Sequence, residues 1–131
     1  MPCRCDDDSY RPHLPRLVPI ESFGKGGFRF AGMSHRGSLL CLPSGIWAWT
    51  VTQPEDVTEL TLKPVFDAAA DIGMFLIGTG QAPWQLPAPL HMRFHTSKIS
   101  VEIMRTGTAV STYNILLSEG RRVAAGFIAV S

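Results

Sequence analysis

The sequence predicts an α/β domain: three layers, with a central mixed, largely parallel sheet flanked by helices and an N-terminal antiparallel hairpin layer. Three observations predict it. After residue 72 the pattern runs strand–helix–strand–helix–strand, the order that builds a parallel sheet covered by helices. Between Ile20 and about Val51, short apolar segments alternate with glycine turns, as antiparallel strands do. Finally, 131 residues, 45% hydrophobic and 18% charged, make one globular domain able to bury a core without staples.

Residues 1–18 hold three prolines, three aspartates and three arginines without periodicity and are expected to be a flexible tail, leaving 19–131 as a single domain. Gly24, Gly26 and Gly27 mark a first turn, and Phe28 and Phe30 alternate with Arg29 as in a half-buried strand. His35-Arg36-Gly37 is expected to form a second turn. Leu39 to Leu42 then reaches Pro43-Ser44-Gly45, a hairpin connection, and beyond it Trp47, Trp49 and Val51 share one face while Ile46, Ala48 and Thr50 share the other. Leu62, Val65, Phe66 and Ala69 have helical spacing, with Thr61 as the expected N-cap and Pro64 in the first turn. Gly73 to Gly78 reads as a strand buried on both faces. A short helix is expected near 88–96 and a strand over 99–104. Thr108 to Glu119 gives the clearest helix, with Val110, Tyr113, Leu116 and Leu117 as its apolar stripe and Gly120 just past its end. Val123 to Val130 is almost wholly apolar and reads as a central strand whose direction the sequence leaves open.

Composition excludes several classes. A net charge of +1 argues against a nucleic-acid binder with a dense cationic face. No apolar run approaches the ~18–20 residues of a transmembrane segment. Cys3, Cys5 and Cys41 are too few and too oddly placed for a disulfide framework. Nothing at the start resembles a secretory signal, and Asp6, Asp7 and Asp8 argue against a mitochondrial presequence, so the expected compartment is the cytoplasm. The oligomeric state is not legible.

Among possible sites, Gly78-Thr79-Gly80 stands out. A glycine turn leaving the carboxyl end of a buried strand can present amides to an anion, or it can simply be a tight turn. The third glycine of a dinucleotide fingerprint is replaced by Pro83, so no cofactor is expected. Thr106-Gly107-Thr108 reads as a second small turn capping the following helix. Both turns are expected at one sheet edge, where Thr79, Thr106, Thr112 and Asn114 are candidates to hydrogen-bond a small molecule or anion. Trp47 and Trp49 are candidates for a partner surface, against the alternative that they are core. No catalytic set is found: Tyr113 is followed by Leu117 where a dehydrogenase has lysine, Ser44 lacks the nucleophile elbow, and Cys41 reads as an inert buried thiol. His91 and His95 have zinc-compatible spacing but no third ligand nearby, so no metal is expected.

Taken together, Phe75-Leu76-Ile77-Gly78-Thr79-Gly80 and the later run Val101 to Ala109, followed by Thr112 to Leu117 and Glu119 to Ala125, resemble the paired signatures of the respiratory complex I assembly factor three family. Prokaryotic members of that family form a domain of unknown function. The resemblance spans about residues 19–130. It implies a single α/β domain with a mixed sheet, no established catalytic residues, and a protein partner in respiratory-complex assembly. The chain departs from the family in its His91 to His95 helix and resembles a bacterial member. The reading is therefore a non-catalytic binding or assembly-type protein. The alternative is a small-molecule or anion-binding protein, an enzyme included, that uses the two turns.

Overall fold

The computed structural model describes residues 17–82 and 84–130. Its elements run β1 (Ser22–Gly24), β2 (Gly27–Phe30), β3 (Met33–Arg36), β4 (Ser38–Leu42), β5 (Gly45–Trp49), α1 (Lys63–Asp67), β6 (Met74–Gly78), α2 (Ala88–Thr96), β7 (Ser100–Met104), α3 (Thr106–Ser118) and β8 (Val123–Phe127). A five-stranded sheet has the order β5-β4-β8-β6-β7. Within it β6 is parallel to both neighbours, pairing Gly78 with Met104 on β7 and with Phe127 on β8, while β4 is antiparallel to β8 and β5. The last strand is thus parallel. The antiparallel N-terminal half divides: β1, β2 and β3 form a separate three-stranded layer, and the β4–β5 hairpin completes the central sheet.

Alternation along β6 sends its side chains into two cores. Phe75 and Ile77 join α1 and α2 residues on one face, including Val65, Phe66, Leu90 and Phe94. Leu76 faces the other way, toward Val110 and Tyr113 of α3 and toward Phe28 and Phe30 of the small sheet. Phe94 packs between Phe66 and Phe75, with ring centroids 4.8 and 5.6 Å away. Burying each such ring contributes about 1.5–3 kcal/mol. On β8 the chain is small where the cover is large: the Trp49 ring rests on Gly126, where a Cβ would stand only 2.6 Å from it.

Several boundaries differ from the sequence expectation. The β2–β3 turn lies at Ala31-Gly32, and His35 and Arg36 belong to β3. Both small-sheet turns, Lys25-Gly26 and Ala31-Gly32, have positive φ at their two residues, the geometry whose twist matches a two-residue hairpin. Thr61 is not the cap of α1. Leu62 holds that position, and Thr61 Oγ1 instead accepts from Thr58 N–H and donates to Asp56 O, at 2.8 and 3.0 Å. Helix α3 starts at Thr106, so Thr106-Gly107-Thr108 is its first turn and not a loop before it. Gly107 hides that start in the sequence, because glycine is a poor helix former. Here the residue is small because Phe23 covers it, its Cζ only 3.0 Å from where a Cβ would stand. Leu17 and Val18 already pack on the α3 side. The expectations for residues 1–16, Cys3 and Cys5 among them, fall outside the described residues.

Candidate functional site

The carboxyl ends of β6 and β7 bring Gly78, Thr79, Gly80, Thr106 and Gly107 together. Gly78 permits the approach: a Cβ there would stand 2.9 Å from Thr106 Cα and 3.2 Å from Ala109 Cβ. The polar groups at this junction bond to one another. Thr79 N–H donates to Met104 O and Thr106 N–H to Gly80 O, both at 2.9 Å. The buried Thr106 Oγ1 accepts from Gly80 N–H at 2.9 Å and donates to Ile128 O at 2.7 Å. Thr79 Oγ1 donates to Ala82 O at 2.9 Å. Thr106 is therefore a latch across three chain segments, a role its position in a Thr-Gly-Thr run does not announce. Outside the latch a pocket of about 340 Å³ is lined by Phe23, Gly80, Gln81, Arg105, Gly107, Thr108 and Val130. Arg105 is the one charged side chain among the described residues that line it.

Thr112 and Asn114 lie farther along α3. Asn114 stands eight residues beyond Thr106, about 12 Å along the helix. Its side-chain amide clasps the backbone of Ile20, accepting from Ile20 N–H at 2.8 Å and donating to Ile20 O at 2.9 Å. Tyr113 adds to the clasp by donating from its hydroxyl to Val18 O at 3.0 Å, while its ring meets Phe127 edge-on. Thr112 is half-buried. The sequence reading missed this clasp; an amide beside a buried tyrosine was its only signal.

The two tryptophans of β5 are placed differently. Trp49 is buried against Gly126 and donates from Nε1 to Thr61 O at 3.0 Å. Trp47 is half-buried, donates to Ser44 Oγ at 3.0 Å, and helps line a groove of about 500 Å³ between β5 and α1. Leu60, 79% exposed, and Pro64 stand on the far wall. Since β5 is an outer strand of the five-stranded sheet, this groove lies beside a main-chain edge that no described strand pairs.

The described residues contain no group of three or more His, Cys, Asp or Glu side chains able to hold a metal ion, and no helix long and apolar enough to cross a membrane. Cys41 is enclosed by the second core. Burial pushes its thiol up to about 12, opposed by the nearby Tyr113 hydroxyl. Burial, with the Cys41 charge and its hydrogen bond, also raises Tyr113. Exposed Asp56 is lowered by its hydrogen bonds to Thr52 and Gln53, a local turn effect.

The family model described as protein of unknown function (DUF498/DUF598) matches residues 20–128. The chain belongs to this family. An uncharacterised protein of Rhodobacter capsulatus is 34% identical to it, with 89% of each chain aligned. The mouse protein named NADH dehydrogenase (ubiquinone) 1 alpha subcomplex assembly factor 3 is 29% identical over 88% of this chain. That match spans 62% of the mouse protein, so the chain covers about three-fifths of that relative's length. A crystal structure titled as an outer membrane protein from Bartonella henselae is 44% identical with a TM-score of 0.88, and covers 91% of this chain and all of that one. The resemblance read from the paired signatures and the mixed α/β fold expected from them both hold.

Proposed function

We propose that the chain is a non-catalytic protein-binding protein of assembly-factor type, acting in the cytoplasm and holding its partner in the groove between β5 and α1. The observation that carries this reading is the groove itself: half-exposed Trp47 and the exposed Leu60 line it beside a strand edge left unpaired among the described residues. An extended segment of a partner can add main-chain hydrogen bonds to such an edge and bury apolar side chains in the groove. Support also comes from the assembly-factor relatives, which align with nearly the whole chain. At the turn junction, by contrast, the buried hydroxyls of Thr79 and Thr106 are engaged by the protein's own backbone. A cytoplasmic setting accords with the enclosed, unpaired Cys41 thiol.

The test is co-purification from the native cell with the wild type, Trp47→Ala and Thr79→Ala. A stoichiometric partner retained by the wild type and by Thr79→Ala, but lost by a folded Trp47→Ala, supports the reading. A partner equally retained by all three defeats the groove assignment, and no partner at all defeats the function.

A further inference from the structure

We propose that the outward face of the β1–β3 sheet binds a small polyanion carrying at least two phosphate groups, a role separate from the protein-binding groove. The strand register builds the site. Ser22, Arg29 and Ser34 stand opposite one another across the three strands, and Gly24, Gly27 and Arg36 form the adjacent row of the same face. The opposite face is the one that buries Phe28 and Phe30. The two rows are two residues apart, about 7 Å along the strands. Between them lies a pocket of about 450 Å³, a size suited to a small ligand.

Its floor is main chain because Gly24 and Gly27 carry no side chain. A Cβ at Gly27 would overlap the His35 carbonyl oxygen. Arg29 and Arg36 line the pocket from the two rows, and Lys25 joins them from the tip of the β1–β2 turn. Arg29 Nη1 donates to Ser34 Oγ at 3.0 Å, which orients its guanidinium. Arg36 Nη1 reaches over the same turn, 3.9 Å from where a Cβ of Gly26 would stand.

Among the described residues no carboxylate compensates this charge. From Ser22 to Pro54 the sequence holds no aspartate or glutamate. Glu21 turns to the other hairpin tip, where it accepts from Gly32 N–H at 3.2 Å. Lys25, Arg29 and Arg36 make no ion pair among the described residues, whereas Lys63 and Arg93 each hold a carboxylate. Three cations around one concavity, without a carboxylate partner among the described residues, focus a positive potential on it. Guanidinium forks and serine hydroxyls are donors that match phosphate oxygens. Because the arginines sit in separate rows, a ligand with two anionic centres engages both, whereas a single carboxylate or orthophosphate engages one.

The experiment is titration of the full chain with inorganic pyrophosphate, tripolyphosphate and orthophosphate at low salt, read by amide NMR. Saturable shifts at Gly24, Lys25, Gly27, Arg29 and Arg36 are expected below about 1 mM pyrophosphate, with orthophosphate at least tenfold weaker. Arg29→Gln and Arg36→Gln should each weaken binding about tenfold, the loss of one charge-assisted contact. Lys25→Asn should weaken it too while suiting the left-handed turn position, which keeps the fold out of the comparison. Failure to saturate, shifts confined to Gly80 and Gly107, equal affinity for orthophosphate, or unchanged affinity in folded Arg29→Gln and Arg36→Gln would each overturn the proposal. None of these results bears on the groove, whose readout is partner retention.

Discussion

Replacing Thr106 with valine isolates the latch that joins the ends of β6, α3 and β8. Valine has nearly the same shape, so packing is preserved and only the hydroxyl is lost. Two buried groups then lose their partner: Gly80 N–H, bonded at 2.9 Å, and Ile128 O, bonded at 2.7 Å. Leaving a buried donor or acceptor unpaired costs about 1–3 kcal/mol, so the pair amounts to about 2–6 kcal/mol. At about 4 °C per kcal/mol for a domain of this size, Tm should fall by about 8–24 °C. Thr106→Ser keeps the hydroxyl and removes one methyl, costing about 1 kcal/mol. The assay is thermal unfolding of both variants by circular dichroism, with hydrogen exchange at the Gly80 amide as the local readout. Faster Gly80 exchange in the valine variant and near-normal protection in the serine variant are expected. If Thr106→Val is no less stable than Thr106→Ser, the hydroxyl does not hold the junction and the reasoning fails.

Two further outcomes follow from the clasp and the buried thiol. Asn114→Ala removes both bonds to Ile20 and should lower stability by about 1–3 kcal/mol, with hydrogen exchange accelerating at the Ile20 amide ahead of the central strands; uniform acceleration would mean that Asn114 does not pin that segment in particular. Cys41 is raised by burial from 9.0 to about 12, so between those values the unfolded chain loses its proton while the folded chain keeps it. Stability attributable to Cys41 is therefore constant below pH 9 and falls above it by about 1.4 kcal/mol per pH unit. The stability difference between wild type and Cys41→Ala, measured by denaturant unfolding, should accordingly be constant below pH 9 and shift above it in favour of the alanine variant.

How far the sequence discloses this molecule depends on how local each determinant is. The apolar run Met74 to Gly78 and the periodic stripe of α3 are local patterns, and both elements lie where those patterns put them. The meeting of Gly78 with Thr106 was legible too, because parallel β6 and β7 with a helical crossover place their ends together. The start of α3 was not. Gly107 argues against helix in isolation, and its reason for being small is Phe23, distant in sequence. The β2–β3 turn escaped for a related cause: Ala31 adopts a left-handed φ of 50°, which alanine does not advertise. For the candidate site, the sequence named the residues of the turn junction but not that Thr106 would satisfy two of its buried groups. Nor could alternation separate Trp47 from Trp49, since both point to one face; only α1 and the Thr61 carbonyl distinguish the covered ring from the half-exposed one.

Photo-crosslinking from the groove between β5 and α1 tests whether a protein binds there. A chain carrying Leu60→p-benzoylphenylalanine should link to one protein in the native cell. The same probe at Ile115, 58% exposed on α3 across the sheet, should not capture it. Identical products from both positions, or none from Leu60 in a folded chain, would contradict such binding.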